Sequence, residues 1–231
     1  MKTPVLLACA LGLSLFTLSS PAFAQRELQR KDYVTQLDSC EAILREFQAD
    51  PATAIPKAVL ARARAIVVTN QFKAGFILGV KDGYGILMVK KADGRWSVPA
   101  IIRAGEASLG LQIGGRAIET IYVFTDDRTP RMLFTQRLNV GVDAAAVAGP
   151  KVAETERTTG DVLKAPVLLY TKAKGLYAGA TVKTGFLMRD DKANRVLYST
   201  EYTIPEIVDS DWITPPAEVQ PLMNYVQSIA P

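Results

Sequence analysis

The sequence predicts an α+β fold in which helices flank a glycine-rich, largely antiparallel sheet. Two patterns carry this prediction. Between residues 28 and 47, apolar positions recur every three or four residues, which is typical of an amphipathic helix. Nine glycines then fall between Gly75 and Gly115 among short apolar runs, which is typical of consecutive strands. With 231 residues, 48% of them hydrophobic, the chain is long enough for one domain with a sizeable core.

The first elements follow in order along the chain. The first helix is predicted from Leu28 to Phe47, and Asp50-Pro51 ends it. A second, short helix begins at Pro56, where the missing backbone N–H costs nothing. The residues from Ala65 to Thr69 are mostly β-branched or apolar and predict a strand.

Aspartate–glycine pairs predict the turns of the sheet. Asp82-Gly83 and Asp93-Gly94 both stand between apolar runs, so we expect a hairpin at each. Beyond the sheet, the pattern indicates a helix from Arg131 to Ala148 and further strand character between residues 162 and 188. A final helix is predicted from Ala217 to Ile229.

Several residues recur at an offset of 100 positions. The series Gly75, Gly79, Gly85, Leu87, Met88 and Arg95 is matched by Gly175, Gly179, Gly185, Leu187, Met188 and Arg195. Asn194 stands where Gly94 does, and both residue types tolerate a positive φ. Two interpretations stay open: similar hairpins related by a pseudo-twofold axis, or chance similarity in a glycine-rich protein.

The N-terminus has the pattern of an export signal. Lys2 precedes an apolar stretch from Val5 to Leu18, and Ala22-Phe23-Ala24 forms a cleavage site before Gln25. The stretch is shorter than the roughly 20 apolar residues of a transmembrane helix. We therefore expect a signal peptide over residues 1–24, a helical segment over 25–54 and one domain with a C-terminal helix over 55–231. The export signal also predicts that the protein lies in the periplasm or is associated with the cell envelope.

The composition excludes several classes of site. The chain has no histidine, so histidine-based catalytic triads and histidine-ligated metals are excluded. Of its two cysteines only Cys40 lies beyond the predicted signal peptide, which excludes cysteine-rich metal sites. A net charge of +4 is too weak an excess for dedicated nucleic-acid binding. We expect no metal, no other cofactor and no nucleic-acid partner.

Carboxylates are the remaining candidates for catalysis. They cluster at Asp126-Asp127, Asp190-Asp191 and Asp209-Ser210-Asp211, and none of these clusters has the pattern of a calcium loop. Solvated turn residues are the more ordinary interpretation. A histidine-free hydrolase therefore ranks last among the hypotheses, and we expect a protein that is not an enzyme.

Basic and aromatic residues form the remaining functional signal. They are Lys90, Lys91, Arg95 and Trp96 around one predicted turn, and Lys172 and Lys174 before Gly175. Ammonium and guanidinium groups pair with phosphate, and an indole ring favours the membrane boundary. These six residues are candidates for contact with an anionic lipid surface. The alternative is a solvated hairpin whose tryptophan packs into the core.

An ordered series of motifs resembles the SYLF domain family. The motifs are Gly75-Phe76, Gly79, Gly83-x-Gly85, Gly94-Arg95-Trp96-Ser97-x-Pro99, Gly105, Gly110, Gln112-Ile113-Gly114, Gly149-Pro150 and Lys174-Gly175-Leu176-x-Ala178-Gly179. The match extends from about Ile55 to Tyr202. Lys90-Lys91 replaces an arginine that members often carry, and Leu197-Tyr198-Ser199 replaces their Tyr-Tyr-Gly. Both departures concern headgroup specificity and not the fold.

The resemblance implies a non-enzymatic, lipid-binding module. Eukaryotic members bind phosphoinositides through basic residues and an amphipathic N-terminal helix, some contact actin, and bacterial members are commonly exported. For this chain the resemblance implies binding to anionic phospholipid or a membrane surface, with Trp96 or the helix from Leu28 to Phe47 meeting acyl chains. The alternative is a structural module that docks its helical stripe on another envelope protein.

Overall fold

The structure, a computed structural model, describes residues 27–74, 78–109, 116–149, 164–174 and 185–231. Its helices are α1 (Arg30–Ala49), α2 (Lys57–Leu60), α3 (Arg128–Arg131), α4 (Asp191–Tyr198), α5 (Ile204–Asp209) and α6 (Gln220–Ile229). Its strands are β1 (Ala65–Ala74), β2 (Leu78–Val89), β3 (Ala100–Leu109), β4 (Arg116–Phe124), β5 (Leu138–Asn139), β6 (Ala146–Ala148), β7 (Val167–Lys174) and β8 (Phe186–Arg189). Short 3-10 helices cover Met132–Phe134 and Ala217–Val219.

The described strands form a single sheet in the order β5-β8-β3-β2-β1-β4-β7-β6. All neighbouring strands in it run antiparallel except β6 and β7, which run parallel. The long strand β1 lies at the centre, paired with β2 on one side and with β4 on the other. The α+β class and the largely antiparallel sheet that the sequence predicts are confirmed.

Both faces of the sheet centre are covered. Along β1, Ile66 and Val68 belong to a hydrophobic cluster with α1, whereas Ala65 and Val67 belong to a second cluster with α5. Successive side chains of a strand point to opposite faces, so the sequence of a strand that is buried on both faces is a continuous run of apolar residues. The sequence Ala-Ile-Val-Val at the start of β1 has this character.

The first helix is confirmed as α1, which begins with a capping box. The Asp32 carboxylate accepts a hydrogen bond from the Gln29 backbone N–H at 2.8 Å. The apolar stripe packs on the sheet and is buried: Tyr33, Leu37, Cys40, Ile43, Leu44 and Phe47. The expectation that this stripe meets acyl chains or another protein is therefore wrong for this structure, because the sheet already covers it.

One of the two expected turns is confirmed. Gly94 adopts a left-handed φ of 84° after Asp93, and its backbone N–H donates to the Lys91 carbonyl at 3.0 Å. Asp82-Gly83 instead lies inside β2, opposite Phe72 and Gln71 of β1. The glycine there serves close approach between strands, because a Cβ on Gly83 would lie 2.5 Å from the Asn70 carbonyl oxygen.

The helix predicted from Arg131 to Ala148 is wrong. The segment contains the end of α3, a 3-10 helix and the short strands β5 and β6, which pair with β8 and β7. Gly141 has a φ of 88°, a conformation that no α-helix accommodates. Pairing with the sheet edges, which the local pattern does not encode, decides the structure of this segment.

The pseudo-twofold repeat is not confirmed. Residues 191–198 form α4, where a second copy of the hairpin would place a turn. Asn194, the counterpart of Gly94, is helical and fully buried. Positions 175–184 of the expected second copy lie outside the described residues.

Asn194 joins α4 to the sheet. Its side-chain Oδ1 accepts from the Ile101 N–H at 2.7 Å, and its Nδ2 donates to the Ile101 carbonyl at 2.8 Å. Strand β8 pairs with β3 from Ile102 to Gly105. The asparagine side chain therefore makes the two hydrogen bonds to the Ile101 backbone that one more residue of β8 would otherwise make.

Replacing Asn194 by leucine tests this connection. We expect Asn194→Leu to lower the free energy of unfolding by about 2–4 kcal/mol, because it leaves the Ile101 N–H and carbonyl unpaired in the core. Urea unfolding followed by circular dichroism measures the change. Asn224→Leu on the exposed side of α6 is the matched control, with a change of about 0.5 kcal/mol or less. Equal losses in the two variants would contradict the assignment.

Gly85 provides a second test of the sheet. A Cβ there would lie 2.5 Å from the Val68 carbonyl oxygen, so we expect Gly85→Ala to destabilise the fold by about 1–3 kcal/mol. Gly94→Asn is the control, because a Cβ at Gly94 meets open space and asparagine tolerates its φ. Thermal unfolding compares the two variants, and a more stable Gly85→Ala protein would disprove the close approach.

Candidate binding site

The candidate site surrounds the turn between β2 and β3. A bridge between Lys90 and Trp96 closes this turn, and the Lys91 N–H donates to the Arg95 carbonyl at 2.8 Å. The Asp93 carboxylate accepts from the Arg95 backbone N–H at 2.9 Å. The tight turn therefore holds the cations Lys90, Lys91 and Arg95 close together, as the sequence predicts.

The Asp211 carboxylate lies between two of these cations. Lys91 Nζ donates to Asp211 Oδ1 at 2.7 Å, and Arg95 Nη2 donates to Oδ2 at 3.0 Å. Both hydrogen bonds lower the pKa of Asp211 below its usual value, and the bond from Lys91 has the larger effect. The carboxylate is therefore ionised at neutral pH, and it offsets part of the positive charge of the turn.

The two partners of the Lys91 pair differ in exposure. The Lys91 side chain is 14% exposed and also donates to the Ser210 carbonyl at 2.7 Å, whereas the Asp211 side chain is 66% exposed. Arg95, 62% exposed, is held by a second carboxylate, because its Nε donates to Asp93 at 2.7 Å. The ammonium group thus lies inside and the Asp211 carboxylate covers it from the solvent side.

Trp96 faces the core and not the surface. The side chain is 4% exposed, and its Nε1 donates to the Ala230 carbonyl at 2.7 Å. Lys90 Nζ lies 5.8 Å from the centre of the indole and contacts the carbonyls of Ala230 and Pro231. The expectation that this indole meets acyl chains is therefore wrong, because the end of α6 covers it and satisfies its N–H. The alternative, a tryptophan that packs into the core, is confirmed.

Lys172 lies far from the turn. It stands on β7 opposite Glu119, which is in register with Asn70 and Tyr84 on the neighbouring strands. Six residues along β2 separate Tyr84 from Lys90, or about 20 Å, and three strand spacings add about 14 Å across the sheet. Lys172 Nζ pairs with Glu46 of α1 at 2.6 Å. Lys174 ends the same strand, and its side chain lies outside the described residues.

A cavity of about 360 Å³ opens beside the turn. Lys91, Arg95 and Asp211 contribute charged groups to its lining. Val98, Ile213 and Met223 contribute apolar side chains. The volume lies within the range of small-ligand pockets, and the lining suits a molecule with an anionic group next to an apolar part.

Trp212 is a surface residue that the sequence patterns do not single out. Its side chain is 65% exposed, directly after Asp211, and its ring centre lies 5.3 Å from that of Tyr202. The sequence contains a signal for this exposure, because the residue follows Asp-Ser-Asp and precedes two prolines. Such a segment is typical of a solvent-exposed loop.

The acidic clusters have structural partners. The Asp126 carboxylate accepts from the Thr129 N–H at 2.6 Å, and Asp190 accepts from the Ala193 N–H at 3.0 Å at the start of α4. Asp209 pairs with Arg131 at 2.7 Å. Within the described ranges, no three cysteine or acidic side chains lie close enough to hold a metal ion. None of the described helices combines the length and the apolarity needed to cross a membrane.

The two tryptophans give a direct test of this geometry. In Trp212→Phe, we expect the remaining emission of Trp96 to lie at short wavelength and to resist quenching by acrylamide, because the indole is buried. In Trp96→Phe, the emission of Trp212 lies at longer wavelength and is quenched readily. The reverse assignment would contradict the burial of Trp96.

Comparison with known proteins identifies the family. The Ysc84 family, described as "Las17-binding protein actin regulator", matches residues 105–229, which is more than half of the chain. LAS seventeen-binding protein 3 of Saccharomyces cerevisiae is 30% identical over 179 residues, which cover 76% of this chain and 39% of that protein.

Other relatives give the same result. SH3 domain-containing protein PJ696.02 of Schizosaccharomyces pombe is 29% identical over 178 residues, or 75% of this chain and 41% of that protein. Human SH3 domain-containing YSC84-like protein 1 is 28% identical over 193 residues, or 80% of this chain and 56% of that protein. The chain thus spans about two fifths of the fungal relatives and just over half of the human one. Its ordered motifs and these matches agree, and the chain belongs to the Ysc84 family, which is also the SYLF domain family.

Proposed function

We propose that this chain is a non-enzymatic binding module that attaches to anionic phospholipid surfaces. One observation carries the proposal: Lys91 and Arg95 line a cavity together with apolar side chains, and the exposed Trp212 lies directly between Asp211 and Ile213 of the same lining. Ammonium and guanidinium groups bind phosphate oxygens, and an exposed indole favours the boundary between lipid and water.

The local charge predicts weak and salt-sensitive attachment. The turn carries three cations, and Asp93 and Asp211 offset two of them. Each basic residue near an anionic membrane contributes about 1 kcal/mol, and the attraction falls off within a Debye length. A small net positive charge therefore supports reversible binding that rises in dilute salt.

Trp212 takes the place that the sequence analysis assigned to Trp96. Its neighbour Asp211 bonds both cations of the cavity, so the indole and the cations belong to one surface. Lys172 lies three strands away from β2 and about 20 Å from the turn along the strands, and it pairs with Glu46, so we leave it out of the proposed surface. The surface consists of Lys91, Arg95 and Trp212. Lys90 is left out as well, because its ammonium group contacts the carbonyls of Ala230 and Pro231 beside the buried Trp96.

The place of action is part of the same proposal. The export pattern over residues 1–24 supports a periplasmic or envelope location, in which bacterial phospholipids are the accessible anionic lipids. The structural roles of the acidic clusters support a protein without catalysis, since each carboxylate discussed above caps a helix or holds an arginine or lysine.

Cosedimentation with vesicles tests the proposal. We expect the purified protein to sediment with phosphatidylglycerol vesicles at low salt and to remain in solution with phosphatidylcholine vesicles. The double variant Lys91→Gln/Arg95→Gln removes two cations and is expected to lower the apparent affinity by about 10- to 30-fold. Trp212→Ala is expected to lower it further, because the indole no longer enters the boundary.

Lys172→Gln is the control, because it removes one cation from β7, three strands away from the strand that leads into the turn. It is expected to bind like the unmodified protein. If phosphatidylglycerol and cardiolipin vesicles both leave the protein in solution at low salt, the proposed function is wrong. If Lys172→Gln weakens binding as much as the double variant, the proposed surface is wrong.

A second candidate function is binding to a protein of the cell envelope. The yeast relative is named for binding Las17, and the family description names an actin regulator, so protein partners are plausible in this family. For this chain the exposed Trp212 and its neighbour Tyr202 are the candidate contact. Capture of one envelope protein that resists salt and detergent and is lost in Trp212→Ala would favour this function over lipid binding.

A further inference from the structure

The Asp211 carboxylate has the position of a bound anion. Its two oxygens accept from two different cations, Lys91 at 2.7 Å and Arg95 at 3.0 Å. It also lines the cavity, whose lining includes the apolar side chains of Val98, Ile213 and Met223. It belongs to the segment between α5 and α6 and reaches the turn from more than 110 positions away in the sequence.

We infer that Asp211 occupies a phosphate site and that an anionic phosphate group displaces it from Lys91 and Arg95. The phosphate belongs either to a phospholipid headgroup or to free phosphate in solution. The inference rests on the proposed function for this class of ligand, and it adds the position of the group and its internal competitor.

The two cations keep their positions when the carboxylate leaves. Lys91 remains mostly buried and still donates to the Ser210 carbonyl at 2.7 Å. Arg95 remains bonded to Asp93 through Nε, and the tight turn fixes its backbone. An ammonium group has three donors and a guanidinium five, so both cations retain N–H groups for phosphate oxygens.

The main cost of displacing the carboxylate lies in its pair with Lys91, because that side chain is 14% exposed and the phosphate has to replace the lost bond. The pair with Arg95 costs little. The side chains of Asp211 and Arg95 are 66% and 62% exposed, and ion pairs at such exposure contribute little to stability. Inorganic phosphate carries more negative charge and more acceptor oxygens than a carboxylate, so it forms stronger hydrogen bonds with the same two cations. The phosphodiester of a phospholipid carries one negative charge and matches the carboxylate in these hydrogen bonds.

The cavity distinguishes the two sources of phosphate. Val98, Ile213 and Met223 also line the cavity and offer apolar contacts to the glycerol and first acyl carbons of a phospholipid. Inorganic phosphate uses the charged groups alone. A phospholipid therefore gains apolar contacts that inorganic phosphate lacks, and it is expected to bind more tightly.

Calorimetric titration with inorganic phosphate and with monomeric dihexanoyl phosphatidylglycerol tests the inference. We expect Asp211→Asn to raise the affinity for both ligands about two- to five-fold, because the competing charge is gone. Lys91→Gln is expected to lower both affinities about ten-fold or more. Asp209→Asn is the matched control: its carboxylate pairs with Arg131 at 2.7 Å, and we expect no change in affinity.

Three results would overturn the inference. The first is an Asp211→Asn protein that binds no better than Asp209→Asn, and the second is one that binds more weakly, since Asp211 would then assist the ligand. The third is phosphate binding that Lys91→Gln leaves unchanged. Asp211→Ala repeats the test with a smaller side chain, and circular dichroism verifies that each variant is folded.

The vesicle experiment separates this inference from the proposed function. The protein could fail to sediment with phosphatidylglycerol vesicles and still bind the soluble ligands, with the expected higher affinity in Asp211→Asn. In that case the proposed function is wrong and the phosphate site is supported. If vesicles bind equally to the unmodified protein, Asp211→Asn and Lys91→Gln, membrane attachment stands and the phosphate site fails.

Discussion

Burial of the sheet centre on both faces is the constraint on which the remaining structure depends. Because β1 alternates between two hydrophobic clusters, α1 has to cover one face and α5 with its neighbouring segments the other. The amphipathic helix that resembles a membrane-binding element is thereby used in folding, and its apolar stripe stays inside. The proposed contacts with a ligand therefore involve a turn and a connecting loop, where Arg95 and Trp212 are exposed.

The end of the chain stabilises one of these turns. The carbonyl of Ala230, after α6, accepts from the Trp96 indole, and the loop between α5 and α6 brings Asp211 to Lys91 and Arg95. The hairpin turn, the cavity and the contact between the Tyr202 and Trp212 rings therefore form one structural unit. A change in the packing of α6 would alter the positions of the cations, even though α6 itself contributes no cation to them.

Local patterns predict the parts of this structure that local interactions decide. The spacing of Leu37, Cys40 and Leu44 predicts α1, and the Asp93-Gly94 pair predicts the turn that holds the cations. Long-range contacts decide the rest. The burial of Trp96 depends on Ala230, and the separation of Lys172 from Lys91 depends on strand order and register, which one sequence does not reveal. The role of Asn194 likewise depends on where β8 ends.

Cys40 illustrates a further consequence of the buried helix stripe. Its thiol is fully enclosed between α1 and β1, where it faces the Val68 carbonyl at 3.7 Å, and burial raises its pKa well above the usual value. Thiolate chemistry is suppressed as long as the helix stays in place. The rate at which an alkylating reagent modifies this sulfur therefore reports how often the helix detaches from the sheet.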